Sequence, residues 1–202
     1  MQSELVDGMT LDKLFQAIEE QQRRCEHIRL HPNGFLQLPL SLGKDQRTSD
    51  LRLHIWTDQL PLRGDSAYGI HDHIFDIHSS VLLGSLFDTT YMAEENPPGE
   101  YFLFQSDGKG QLNYAENRYS CTVSQQRIIP AGCSYRLPKR AFHTSAPQCS
   151  VVATVMRKTN IDPQARSRVL SLQIQPRVEV DRSIDQALAW DAVRLVQERI
   201  RY

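Results

Sequence analysis

From about residue 33 to about residue 158 the chain is a succession of short apolar or alternating runs, cut by turn residues roughly every 8 to 12 positions. Such spacing has no place for long helices and predicts an antiparallel sandwich or barrel. The runs fall at 34–42, 50–57, 67–73, 78–83, 85–92, 100–105, 110–114, 119–129, 133–137, 142–146 and 150–157. Asn96-Pro97-Pro98-Gly99, Asp107-Gly108-Lys109-Gly110 and Pro130-Ala131-Gly132 supply the Gly and Pro chemistry of tight turns between some of them.

The two ends differ from this middle. Leu11, Leu14, Phe15 and Ile18 recur at helical spacing behind Thr10, a suitable N-cap, with Asp12 in the first turn. A helix is predicted over 10–28. A second is predicted over 183–202, where Ser183 and Gln186 have the spacing of a capping box and Leu188, Ala192, Leu195, Val196 and Ile200 form an apolar stripe. Both stripes are expected to pack on the outside of the β region or across a homodimer interface. No repeat, low-complexity tract or polar linker divides the 202 residues, so one domain over 1–202 is expected.

Charge narrows the partners. Lys and Arg number 23 against 24 Asp and Glu, which gives a net charge of -1 and no broad positive field for a polyphosphate backbone. Neither nucleic acid nor membrane is expected as a partner, since no run approaches the roughly 20 apolar residues that span a bilayer. The N-terminus is acidic, unlike a signal peptide, and the four cysteines form no CxxC pair, so a cytoplasmic protein with reduced thiols is expected.

Of the seven histidines, three lie in the string Gly69-Ile70-His71-Asp72-His73-Ile74-Phe75-Asp76-Ile77-His78. On a strand His71 and His73 share one face and Asp72 takes the other, so two imidazoles can grip one ion. A change of direction across 74–77 would return His78 beside them. Ordinary buried histidines bonded to backbone carbonyls are the competing reading of a bare His-x-His.

The arrangement resembles the cupin superfamily, whose two motifs run G-x5-H-x-H-x(3,4)-E-x6-G and G-x5-P-x-G-x2-H-x3-N. Gly64, His71, His73, His78 and Gly84 follow the first, with each glycine displaced by one and histidine where glutamate is expected. Gly132, Pro138 and His143 keep the second spacing, with Arg140 at the second glycine and Pro147 at the asparagine. The motifs span Gly64 to Pro147, under half of the chain. The resemblance implies an all-β double-stranded β-helix (cupin) barrel flanked by N- and C-terminal helices, and a divalent transition metal on His71, His73, His143 and His78. Alternatively His78 stands behind the ligands and orients a bound water. An all-histidine site carries less negative charge than one with a glutamate, which suits borderline ions. Fe(II) is expected first, with Zn, Ni, Cu or Mn as alternatives. The string 70–73 and the histidine-only set also resemble thiol dioxygenases of the cysteine dioxygenase type.

Other residues extend the candidate site. Residues 50–57 alternate, so Arg52, His54 and Trp56 share one face and Leu51, Leu53 and Ile55 the other. Either the leucines face the core, or the polar set lines a substrate cavity. Arg140 could pair with a substrate carboxylate, and Tyr135 could bond to the substrate, as could Tyr68 or Tyr101. Cys121 and Cys133 are candidates for a place near the site, while His27 and His31 are expected at the surface. The resulting expectation is a non-heme metal-dependent oxygenase acting on a small molecule with O₂. A redox-neutral lyase, isomerase or hydrolase and a non-catalytic binding protein are the alternatives.

Overall fold

The computed structural model describes residues 5–41, 50–59, 69–107, 111–174 and 183–201. After a 3-10 turn at Val6–Gly8 comes helix α1 (Leu11–Arg23), and the chain ends in helix α2 (Gln186–Arg201). Between them lie β1 (Arg29–Leu30), β2 (Leu36–Leu40), β3 (Leu51–Thr57), β4 (Ile70–His71), β5 (Asp76–Leu83), β6 (Ser85–Glu95) and β7 (Tyr101–Ser106). The series continues with β8 (Leu112–Pro130), β9 (Ser134–Leu137), β10 (Phe142–Pro147), β11 (Val151–Thr159) and β12 (Arg168–Ser171). All strand pairings among the described residues are antiparallel. One sheet has the order β1-β2-β3-β11-β5-β9, and the hydrogen bonds of the other run round a ring, β10-β4-β12-β7-β8-β6.

From β5 to β12 the chain changes sheet repeatedly, and glycines make two of the crossings. Gly84, at φ +73, turns β5 into β6, and a Cβ there would stand 2.6 Å from the Val151 carbonyl oxygen. Gly132, at φ +84, turns β8 into β9. Because the chain alternates, residues distant in sequence face each other across the space between the sheets.

The runs at 110–114 and 119–129 belong to one long strand, because the residues between them bulge where a turn would reverse them. The β7–β8 register shifts between Phe102 and Phe104, and Glu116 takes a left-handed φ of 60. The expected strand over 67–73 shrinks to Ile70–His71, with residues 60–68, Gly64 and Tyr68 among them, outside the described set. Strands β1 and β12 have no counterpart among the expected runs.

The β3 alternation is buried on both faces. Leu51, Leu53 and Ile55 join Leu14 and Ile18 of α1 and Ala192, Val193 and Val196 of α2 in one core outside the first sheet. Each large side chain fully buried there stabilises the fold by roughly 1.5–3 kcal/mol. Both predicted stripes are thus packing faces against β structure. Thr10 caps α1 by accepting from the Lys13 amide at 3.4 Å. The helix stops at Arg23, short of residue 28, as Cys25 turns left-handed at φ 53. At α2 the cap is Asp185, whose Oδ1 accepts from the Ala187 amide at 2.8 Å. The capping box through Ser183 is corrected accordingly. Gln186 is used elsewhere: its Oε1 accepts from the Ile28 amide and its Nε2 donates to the Ile28 carbonyl, both at 3.0 Å.

That amide pair staples the start of α2 to the segment after α1, where Ile28 is fully buried. Gln186→Ala is expected to lower unfolding free energy by about 1–3 kcal/mol, since it leaves both backbone groups of Ile28 without these partners. Urea denaturation would measure this. Deletion of residues 185–202 should cause a larger loss.

Candidate metal centre

His71 ends β4 and pairs in register with His143 of β10 on one side and Val169 of β12 on the other. His73 follows two residues past the end of β4. The three imidazoles meet, with ring centroids 5.0 Å apart for His71 and His73, 4.5 Å for His71 and His143, and 5.1 Å for His73 and His143. One nitrogen of each lies within 4.8 Å of the others.

The other nitrogens explain the orientation. His71 Nδ1 lies 3.3 Å from the Gly69 carbonyl and His143 Nδ1 lies 3.3 Å from the Ala141 carbonyl. A carbonyl only accepts, so Nδ1 must carry the proton and Nε2 must keep its lone pair. This is the arrangement that prepares imidazole for an ion. Burial also favours the neutral form of two of the rings: it lowers His143 to about 4, and it holds His73 well below the ordinary value, with His71 and His143 adding to the effect. Three imidazoles around one point form a suitable donor set for a first-row divalent ion, bound at roughly 2.0–2.1 Å per nitrogen.

Asp72, between the first two histidines, is buried on the ion pair it makes with Arg168. Its Oδ1 accepts from the Arg168 amide and its Oδ2 from Arg168 Nε, both at 2.6 Å. Arg140 has a different place from the one expected. Its φ of 68 explains why the resembling motif carries glycine there, and its amide donates to the His73 carbonyl at 2.9 Å. The guanidinium donates to the Arg166 carbonyl at 2.6 Å and lies 3.5 Å from Asp72. Arg140 is not among the residues that line the cavity, and its backbone and guanidinium support the His73 segment.

His78 is likewise corrected. Strand β5 begins at Asp76, Ile77 and Ser79 line the cavity, and the period of two puts His78 on the opposite face, level with Arg157 and Arg136. The structure does not bring it to the other three.

The cluster opens on a cavity of about 320 Å³ between the sheets. Arg52, His54 and Trp56, from one face of β3, line it together with Tyr135 of β9. His31 lines it too, stacked on Phe35 at 4.2 Å, so its expected surface place is corrected. Its signal was the neighbouring aromatic Phe35, four residues on. His27 is exposed. Cys133 is exposed, while Cys121 and Tyr101 pack in a separate apolar cluster; none of the three lines the cavity. His54 is buried, and its Nε2 lies 3.2 Å from Gln37 Nε2, which donates to it. Burial lowers this ring to about 3. Burial likewise pushes the Tyr135 hydroxyl up to about 12, beside Ser79 and Ser145. Ser145 in turn donates to the buried Asp88, which is paired with Arg127.

No family model matches the chain, and no curated protein matches it. Among solved structures, one of DMSP lyases aligns over 60% of this chain and 45% of that one, at 14% identity and a TM-score of 0.31. The hydroxypropylphosphonic acid epoxidase from S. wedmorenis aligns over 66% and 56%, at 12% identity and a TM-score of 0.34. CENP-C of Drosophila melanogaster, in a structure bound to CAL1, aligns over 73% and 100%, at 8% identity and a TM-score of 0.37. The chain thus spans about half the length of the lyase and the epoxidase. No helix among the described residues is long and apolar enough to cross a membrane.

Two outcomes follow from this geometry. His71→Ala, His73→Ala and His143→Ala should each lose most bound metal after loading and dialysis, whereas His78→Ala should retain it, as elemental analysis would report. The second outcome concerns pH. His54 titrates near 6.5 in an unfolded chain and at about 3 in the fold, so between those values only the unfolded state takes the proton. Its contribution to stability is full above about pH 6.5 and declines as pH falls toward 3. The urea midpoint of metal-free protein should therefore drop between about pH 7 and pH 5, less steeply in His54→Gln.

Proposed function

We propose that this chain is a metal-dependent enzyme of the cupin type, a double-stranded β-helix with Fe(II) on His71, His73 and His143, which oxygenates a small molecule with O₂. One observation carries the reading: three histidines from two separated motifs turn one nitrogen each toward a common point, while the Nδ1 atoms of His71 and His143 face backbone carbonyls. The all-nitrogen set favours a borderline ion over a hard, oxygen-preferring one. When bound, iron supplies activation of O₂ and Lewis-acid polarisation.

The chain's own residues supply the rest. Tyr135 keeps its phenolic proton at neutral pH, because burial raises it to about 12, and so serves as a hydrogen-bond donor to substrate. His54 stays neutral, with Nε2 occupied by Gln37 and the proton on Nδ1. Phe35, Trp56, Val81, Leu86, Ile129 and Val152 pack one end of the intersheet space with apolar side chains and keep water from it.

The test loads metal-free protein anaerobically with Fe(II) or zinc and follows O₂ uptake over a panel of small organic acids and thiols. The expected result is uptake that requires both substrate and Fe(II) and disappears in His143→Ala. Turnover by the zinc form without O₂ consumption would replace the oxygenase with a lyase, isomerase or hydrolase. No turnover with either metal would leave a binding protein.

A further inference from the structure

The small-molecule reading leaves the substrate class open, and the charges around the cavity bear on it. Asp72 is the acidic residue of the described lining, and its carboxylate is taken up by Arg168 at 2.6 Å. Among the described residues two cations have no such partner. Arg52 of β3 lines the cavity, and Lys158 of β11 lies two positions beyond the lining residue Met156, on the same face. Met156 pairs in register with Arg52 and Lys158 with Ile77, another lining residue, so the two cations lie diagonally on adjacent strands. No carboxylate of the described residues lies within ion-pair distance of either. The Lys158 ammonium rests over the Phe75 ring at 4.7 Å, and Phe75 stacks on His73 at 4.9 Å.

Each cation also bears on the other. Burial lowers Lys158 to about 8, and Arg52 adds to that; burial lowers Arg52 as well, with Arg29 the next cause. Asp50 attracts both from beyond contact. Two positive groups held together in a partly desolvated wall repel one another, and an oxyanion between them relieves the repulsion through charge-assisted hydrogen bonds. Beyond the head group the wall is aromatic. Phe35 packs against Trp56 at 4.7 Å and His31 at 4.2 Å, and all three rings line the cavity. Flat rings favour a flat guest.

From the placement of these groups we infer that the substrate is a small carboxylic acid with a flat, unsaturated or aromatic body, its carboxylate seated on Arg52 and Lys158. This rests on the small-molecule reading above and names its substrate class. The cavity volume of about 320 Å³ suits a compact guest.

The probes are benzoate, its neutral counterpart benzamide, and acetate, titrated calorimetrically at low salt into chelator-treated, metal-free protein. Benzoate is expected to bind at least about tenfold more tightly than either benzamide or acetate, and Arg52→Gln and Lys158→Gln should each weaken it about tenfold. Equal binding of benzoate and benzamide, no benzoate binding at all, or unchanged benzoate affinity in Arg52→Gln would overturn the inference. Should Arg52→Gln fail to fold, Lys158→Gln decides by the same criterion, since its ammonium sits on a ring at the cavity edge. Metal is removed beforehand, so failure here counts against the carboxylate seat alone. Failure of metal uptake by the untreated protein counts against the histidine centre alone.

Discussion

The carboxylate of Asp72 is bound by Arg168 twice at 2.6 Å and is wholly buried. Much else depends on that contact. Strand β4 is two residues long and has two register pairs with β12 and one with β10, too few to fix its position by backbone bonds alone. The ion pair supplies the missing constraint and fastens the residue between His71 and His73 to β12. A buried charge stripped of its partner costs about 3–5 kcal/mol, so this segment has one favourable position. The two histidines inherit it. Arg140 completes the frame from the other side, its backbone amide on the His73 carbonyl and its guanidinium near Asp72.

The cavity is graded in chemistry from one end to the other. Along β3 and β11 the facing pairs are Trp56 with Val152, His54 with Thr154, and Arg52 with Met156, and Lys158 lies beyond them. One end is therefore apolar, the imidazole of His54 stands between, and the far end is cationic. Desolvation lowers the ring of His54, as it lowers those of His73 and His143 in the metal centre. The same desolvation makes each charge left at the far end count for more than it would in water.

How much of this could be read from residues alone depends on whether the signal was local. The alternation of 50–57 predicted the polar face of β3, and His-x-His predicted two rings on one side. Both patterns are set by the backbone's period of two. His78 escaped because its side depends on where β5 starts, and a four-residue spacing does not reveal that. Arg168 escaped because β12 is a short strand among polar residues, recognisable only by pairing with β4 and β7. His31 was legible only through Phe35, four residues on, whose ring it stacks on, and its place in the cavity wall depends on where β2 and β3 set that pair. The sequence reading left both faces of β3 open, core or cavity, and the two helices resolve this by giving the leucines a core of their own.

That double burial has an evolutionary consequence for β3. A strand with one wet face tolerates a slipped register at moderate cost, but here a slip of one residue exchanges two incompatible environments. Leucines would enter a cavity built around histidines, and an arginine and a histidine would be pressed between helices with no water to solvate them. Insertions and deletions inside 51–57 should therefore be absent from functional descendants of this chain, which would diversify by substitution at fixed length. The helices, by pressing on the leucine face, become a means of adjusting the cavity from behind: a change in side-chain volume in α1 or α2 is felt across one thickness of sheet, at His54.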